Sequence, residues 1–208
     1  MGLKKPASHE AMHPVVQREY PRDLTGLMAQ LREGDVDQRR WAARDLGAHA
    51  QAATLLGERL LDEPSPRVRE AILHALGGMP GDAAVAALLP LLRSDDAQLR
   101  NGAIEVLATM PAAVAPRIGA LLHDDDVDVR IFTVNLLAEL KHERTVAWLL
   151  QVLKQDAAVN VVAAAIEVFA EVGGPEHVAA LRAAAQRFAG DPFIGFATDM
   201  ALQRIEAH

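Results

Sequence analysis

Few residues in this chain have the types and spacing that chemistry needs. His9-Glu10-Ala11-Met12-His13 reads H-E-x-x-H, which on a helix puts two imidazoles one turn apart to ligate zinc, with the glutamate beside them as a base. Its setting works against that chemistry. The pentapeptide lies between Pro6 and Pro14, which leaves too little chain for a firm helix, and the sequence places no third ligand. No metal centre or cofactor is expected, and His9 and His13 stay as weak candidates for adventitious metal binding. Asp124, Asp125, Asp126 and Asp128 gather four carboxylates, yet the D-x-D-x-D-G loop and distant glutamate of a calcium site are missing. Helix capping at an acidic turn explains them better. There is no Gly-rich phosphate loop and no G-x-S-x-G elbow. Cysteine is absent, which excludes disulfides, thiolate metal sites and thioether-linked cofactors.

The elements that would position any site follow from a repeat. The segments VDQRRWAARDLGA from Val36, PRVREAILHALGG from Pro66, AQLRNGAIEVLAT from Ala97, VDVRIFTVNLLAE from Val127, VNVVAAAIEVFAE from Val159 and PFIGFATDMALQR from Pro192 align on Arg39, Arg69, Arg100, Arg130, Val162 and Gly195. A period a little over 30 residues, with units too small to bury their own apolar faces, marks a stacked solenoid. Seven residues after each anchor stand Leu46, Leu76, Leu107, Leu137, Phe169 and Leu202, and the other apolar positions fall at helical spacing. Four residues before the anchors lie Asp35, Ser65, Asp96, Asp126, Ala158 and Asp191. The hydroxyl and carboxylates among them are good helix N-caps, and Pro66 and Pro192 start their helices. A second helix precedes each segment, visible in ATLLGERLL, TVAWLLQVL and their counterparts. Twelve helices in six antiparallel pairs are predicted.

Half the residues are apolar and only 4% are aromatic, so the core is built from Ala, Leu and Val, which suits helix packing more than a sheet. The N-terminal stretch lacks a signal-peptide core and no segment could span a bilayer, so a cytoplasmic protein is expected. Residues 1–21 fit no repeat and read as a tail or a cap over the first pair, while residues 22–208 form the repeat domain. Net charge is −7, and residues 81–208 carry 10 basic against 17 acidic side chains. This balance argues against nucleic acid or an anionic membrane as partner.

The two-helix unit, the acidic turn, the Val-Arg pairs Val68-Arg69 and Val129-Arg130, and the A-x-x-x-L-G or A-I-E-V-L-A run that follows together resemble HEAT-repeat proteins, specifically the short-repeat type also found in bilin lyases. The resemblance covers roughly residues 22–206. It implies an all-α, right-handed α-solenoid of about six HEAT-like two-helix repeats. It also implies an Asp/Arg ladder between neighbouring repeats, giving Arg39, Arg69, Arg100 and Arg130 a structural role that Val162 and Gly195 cannot continue. Alternative readings come with the family: tetrapyrrole handling of the bilin lyase type, or a metal-dependent oxidoreductase such as a di-iron hydroxylase with His-Glu pairs on its inner helices. Here the inner helices offer only His74, and His142-Glu143 is expected at the start of an outer helix. The balance is therefore against catalysis and for a non-enzymatic protein-binding scaffold or adaptor.

In such solenoids the second helix of each pair lines the concave surface. Positions one, five and nine after the anchor share its outward face. This ridge comprises Arg40, Arg44 and Ala48; Glu70, His74 and Gly78; Asn101, Glu105 and Thr109; Ile131, Asn135 and Glu139; Ala163, Glu167 and Glu171; and Phe196, Met200 and Arg204. It starts basic, turns acidic and ends partly apolar. The expected partner is another protein with a basic or polar contact surface, with neither nucleic acid nor membrane involved and the oligomeric state left open. Phe193 and Phe196 are expected to pack under the final repeat rather than to form a binding patch.

Overall fold

Each repeat begins with a helix too short to stand alone in water, so the pairs and their stacking supply the stability. The computed structural model describes residues 19–79 and 81–207. They form an all-α solenoid of six helix pairs: α1 (Leu24–Glu33) with α2 (Val36–Leu46), α3 (Ala53–Asp62) with α4 (Pro66–Gly77), α5 (Gly81–Leu88) with α6 (Ala97–Ala108), α7 (Pro111–Leu121) with α8 (Val127–Glu139), α9 (Thr145–Gln155) with α10 (Val159–Val172), and α11 (Val178–Arg187) with α12 (Pro192–Glu206). The α5 helix tightens into a 3-10 segment at Leu89–Arg93, where Pro90 has no N–H to continue the ladder. No described helix is long and apolar enough to cross a membrane.

The caps explain where the second helices start. Asp35, Asp96, Asp126 and Asp191 each accept a backbone N–H from the first turn of the helix that follows. Asp35 and Gln38 close a reciprocal capping box. Ser65 and Ala158 do not cap with their side chains. Their own backbone N–H groups are held by acids two residues upstream: the Ser65 N–H donates to Glu63 Oε1 at 2.9 Å and the Ala158 N–H to Asp156 Oδ1 at 2.8 Å.

One apolar core runs from Leu27 to Ile205. Leu46, Leu76, Leu107, Leu137 and Phe169 are buried, whereas Leu202, in the last pair, is half-buried. Each fully buried side chain of this size contributes about 1.5–3 kcal/mol. The second helices pack in an unbroken series from α2 to α12, while close packing in the first-helix layer lapses between α1 and α3 and between α7 and α9. An unbroken second-helix layer is consistent with these helices lining one continuous face of the stack.

Contacts between successive second helices are specific by position. A Cβ at Gly102 would come within 2.6 Å of Leu73 Cδ1, and one at Gly77 within 3.3 Å of Val106 Cγ1. Positions four and eight after one anchor therefore meet positions two and six after the next. On the outer sides of the first and last described pairs, one of these positions turns acidic while Trp41 holds another. Asp45 takes the place of Ala75, Val106, Leu136, Val168 and Ala201, and Asp199 that of Leu73, Ile104, Val134 and Ile166.

Candidate functional site

Charge pairs fix the joints between successive repeats. Arg39 donates from Nε and Nη2 to Glu63 in the next turn. Arg69 reaches Asp96 at 2.7 Å, and Arg130 reaches Asp156 at 2.8 Å. Each of these arginines also donates to a carbonyl of its own turn, at Gly34, Glu63 and Asp124. Arg69 as hydrogen-bond donor holds the Asp96 carboxyl below its ordinary pKa, helped by the Leu99 N–H. Arg100 departs from the ladder the family resemblance implies. It donates to Ser94 O, and its guanidinium lies 4.1 Å from the centroid of the Phe132 ring. The acids of the next turn, Asp124 and Asp126, go to Arg93 instead. At the last joint, where Val162 carries no charge, Arg187 of α11 donates back to the carbonyls of Leu153 and Asp156.

On this frame the second helices present the ridge. Arg44, Glu70, His74, Asn101, Glu105, Asn135, Glu139, Glu167 and Glu171 are exposed, and Arg40 and Ile131 are half-buried. Ala163 is buried at 2%, so the ridge dips at the fifth repeat, where a methyl group is too short to clear its neighbours. Arg204 pairs with Glu171 at 2.5 Å, which neutralises one carboxylate at the acidic end. The solenoid brings Glu70, His74, Asn101 and Glu105 together across the α4–α6 joint, around an open cleft of about 530 Å³. Leu73, Gly102 and Val106 also line it. Sequence reasoning missed these residues because it followed only the outward positions. The available signal was Gly102 itself, at a position filled by Trp41, Ala71, Phe132, Ala164 and Ala197 in the other repeats.

The expectation for the last helix is corrected. Phe193 is 53% exposed, Phe196 64% and Met200 49%. Their spacing puts them on one stripe of α12, which no described element covers. The remaining chemistry-bearing residues do not converge. His9 and His13 lie outside the described residues. His142 and Glu143 precede α9 rather than opening it; the His142 ring stacks on Trp148 at 5.0 Å, and its Nδ1 accepts the Arg144 N–H. Asp124 accepts the Asp126 N–H and pairs with Arg93, and together these hold its carboxyl below the ordinary range. Among the described residues, no group of His, Asp and Glu is arranged to hold a metal ion.

Comparison with known proteins agrees with this architecture. The family model for HEAT repeats matches residues 24–108 and 114–191. No curated protein matches the chain. Solved structures similar to it include YibA of Escherichia coli, at 18% identity over 89% of this chain and 73% of that one, with a TM-score of 0.44. An engineered protein matches at 21% identity over 87% and 95% of the two chains, with a TM-score of 0.39. A designed armadillo repeat protein matches at 18% over 88% and 100%, with a TM-score of 0.40. Likenesses this distant carry nothing about ligands. The family model covers most of the chain, and the six stacked helix pairs agree with it: this chain belongs to the HEAT-repeat family.

Proposed function

We propose that the protein is a non-enzymatic scaffold that holds another protein along its concave ridge, through a basic or polar contact surface. One observation carries this reading: Phe193, Phe196 and Met200, each about half exposed or more, stand at the end of a ridge whose middle presents exposed Glu105, Glu139 and Glu167. An apolar stripe left open beside a row of carboxylates matches the make-up of a protein interface, with anchors to bury and charges to orient the partner. The helices that carry it are fixed by the Arg–acid pairs and the shared core, so little ordering entropy is lost on binding.

The test compares proteins retained from cell extract by the native chain and by a Glu139→Lys/Glu167→Lys variant. The reading expects a retained protein that the variant releases, with the helical circular dichroism of the two chains identical. Retention unchanged by charge reversal, and also unchanged by Phe196→Ser, overturns it.

A further inference from the structure

We infer that the cleft between α4 and α6 receives a single lysine or arginine side chain of the bound polypeptide. This rests on the reading of the concave surface as a polypeptide-binding face. The cleft joins two chemistries that a long cationic side chain satisfies together. Its floor is apolar, with Leu73 from α4 and Val106 from α6, and Leu73 packs directly over Gly102, which adds no side chain of its own. Its rim carries one exposed carboxylate from each wall, Glu70 and Glu105. A purely apolar side chain would cover the floor but draw two carboxylates out of water unpaired. A short polar one would leave the floor wet. The methylene stem of lysine or arginine lies on the floor while its head stays at the rim between the carboxylates.

The one cation already lining the cleft does not compete. Arg69 is committed to Asp96 and to the Glu63 carbonyl, so its charge is matched within the frame. Glycine at position 102 lets Leu73 lie directly against α6, since a Cβ there would come within 2.6 Å of Leu73 Cδ1, and no side chain from that position rises into the cleft. At the next joint the equivalent place is taken by Phe132, with Arg100 of the same chain over its ring. The α4–α6 joint thus differs from the α6–α8 joint, where an aromatic ring under an arginine fills the corresponding place.

The experiment is an NMR titration of the full chain with acetyl-Ala-Arg-Ala-amide, its lysine counterpart and its norleucine counterpart, each at millimolar concentration. Saturable shifts of the Gly102, His74 and Val106 amides with the two cationic peptides, and none with norleucine, are expected. Glu70→Gln/Glu105→Gln should weaken those shifts at least tenfold. Both sites are exposed, so this variant keeps the fold even where Gly102→Leu does not. Equal shifts from norleucine, shifts spread over the whole ridge, or indifference to the double variant overturn the assignment. Failure of the cationic peptides, alongside a partner that is released by reversing Glu139 and Glu167, removes the cleft and leaves the scaffold standing. Binding of the peptides with no partner released either by that reversal or by Phe196→Ser removes the scaffold reading, and the polypeptide assignment with it.

Discussion

Arg39 and Glu63 meet across the first joint of the stack at two points, Nε to Oε2 and Nη2 to Oε1, both at 2.9 Å. Glu63 is fully buried, and it also accepts from Arg59 at 2.8 Å and from the Ser65 N–H. A carboxylate withdrawn from water this far is stable only while each donor stays in place. Glu63 therefore binds three parts of the fold at once: α2 of the first repeat, α3 of the second, and the turn that starts α4. Replacing it with alanine should cost about 3 kcal/mol, the low end for a broken buried pair, because the two arginines keep some access to solvent. Chemical denaturation of Glu63→Ala against the native chain measures the difference.

The same residue sets a pH response. Burial alone would raise the Glu63 pKa, but hydrogen bonds from Arg39, the Ser65 N–H and Arg59 outweigh it and leave the carboxyl below its ordinary value. A carboxyl held low in the folded chain stabilises it above the unfolded pKa, and that contribution is lost as pH falls through the ordinary carboxylate range toward the folded value. Asp96 and Asp124, also held low, act in the same direction. Stability measured from neutral pH downward should fall most steeply below about pH 5. Glu63→Gln should flatten that fall, because the group that must be protonated is gone.

Leu107 and Leu137 occupy one repeat position and are both almost wholly buried. Cutting either to alanine should destabilise the chain by roughly 2–5 kcal/mol, since the rigid helix pairs around the site close only part of the cavity. Thermal unfolding of Leu107→Ala and Leu137→Ala provides the check, and shifts near zero would contradict the helical register.

How much of this was legible depended on whether a residue acts within its own repeat or between repeats. The helix starts at Asp35, Asp96, Asp126 and Asp191, and the buried row Leu46, Leu76, Leu107, Leu137 and Phe169, follow from local spacing, because 3.6-residue periodicity and a capping oxygen need no distant partner. The Arg39–Glu63 pair was half legible. The arginine repeats, but its acid stands two residues before the recurrent capping position, and only the stacked structure shows that it is reached. The turn to Phe132 by Arg100, and the takeover of Asp124 and Asp126 by Arg93, left no periodic trace. They depend on which side chain of a neighbouring repeat arrives first. The α4–α6 cleft was hidden for a related reason, since an absent side chain at Gly102 matters only once Leu73 and Val106 stand beside it.

Arg130 and Arg100 hold equivalent repeat positions and test that distinction. Arg130 engages both oxygens of Asp156, whose side chain is 7% exposed, and also donates to the Asp124 carbonyl. Arg130→Ala leaves that carboxylate nearly buried with only the Ala158 N–H donating to it, and should cost about 2–3 kcal/mol. Arg100→Ala loses one carbonyl bond and a ring contact, with no buried acid left unpaired, and should cost about 1–2 kcal/mol. Equal losses in denaturant unfolding would mean that the position, rather than the partner, sets the energy.

The exposed stripe on α12 gives the last contrast. Phe169 is wholly buried and Phe196 is 64% exposed, although both sit on second helices near the same end of the solenoid. Phe169→Ala should lose about 3–5 kcal/mol, the usual loss for a core aromatic. Phe196→Ser should stay within about 0.5 kcal/mol of the native chain, as expected of a side chain with little to lose on the surface. A large loss at Phe196 would restore the expectation that it packs under the last repeat, and would take the apolar anchor out of the concave ridge. A small one means that this phenylalanine is not held there by folding, and leaves its exposed area to whatever docks on α12.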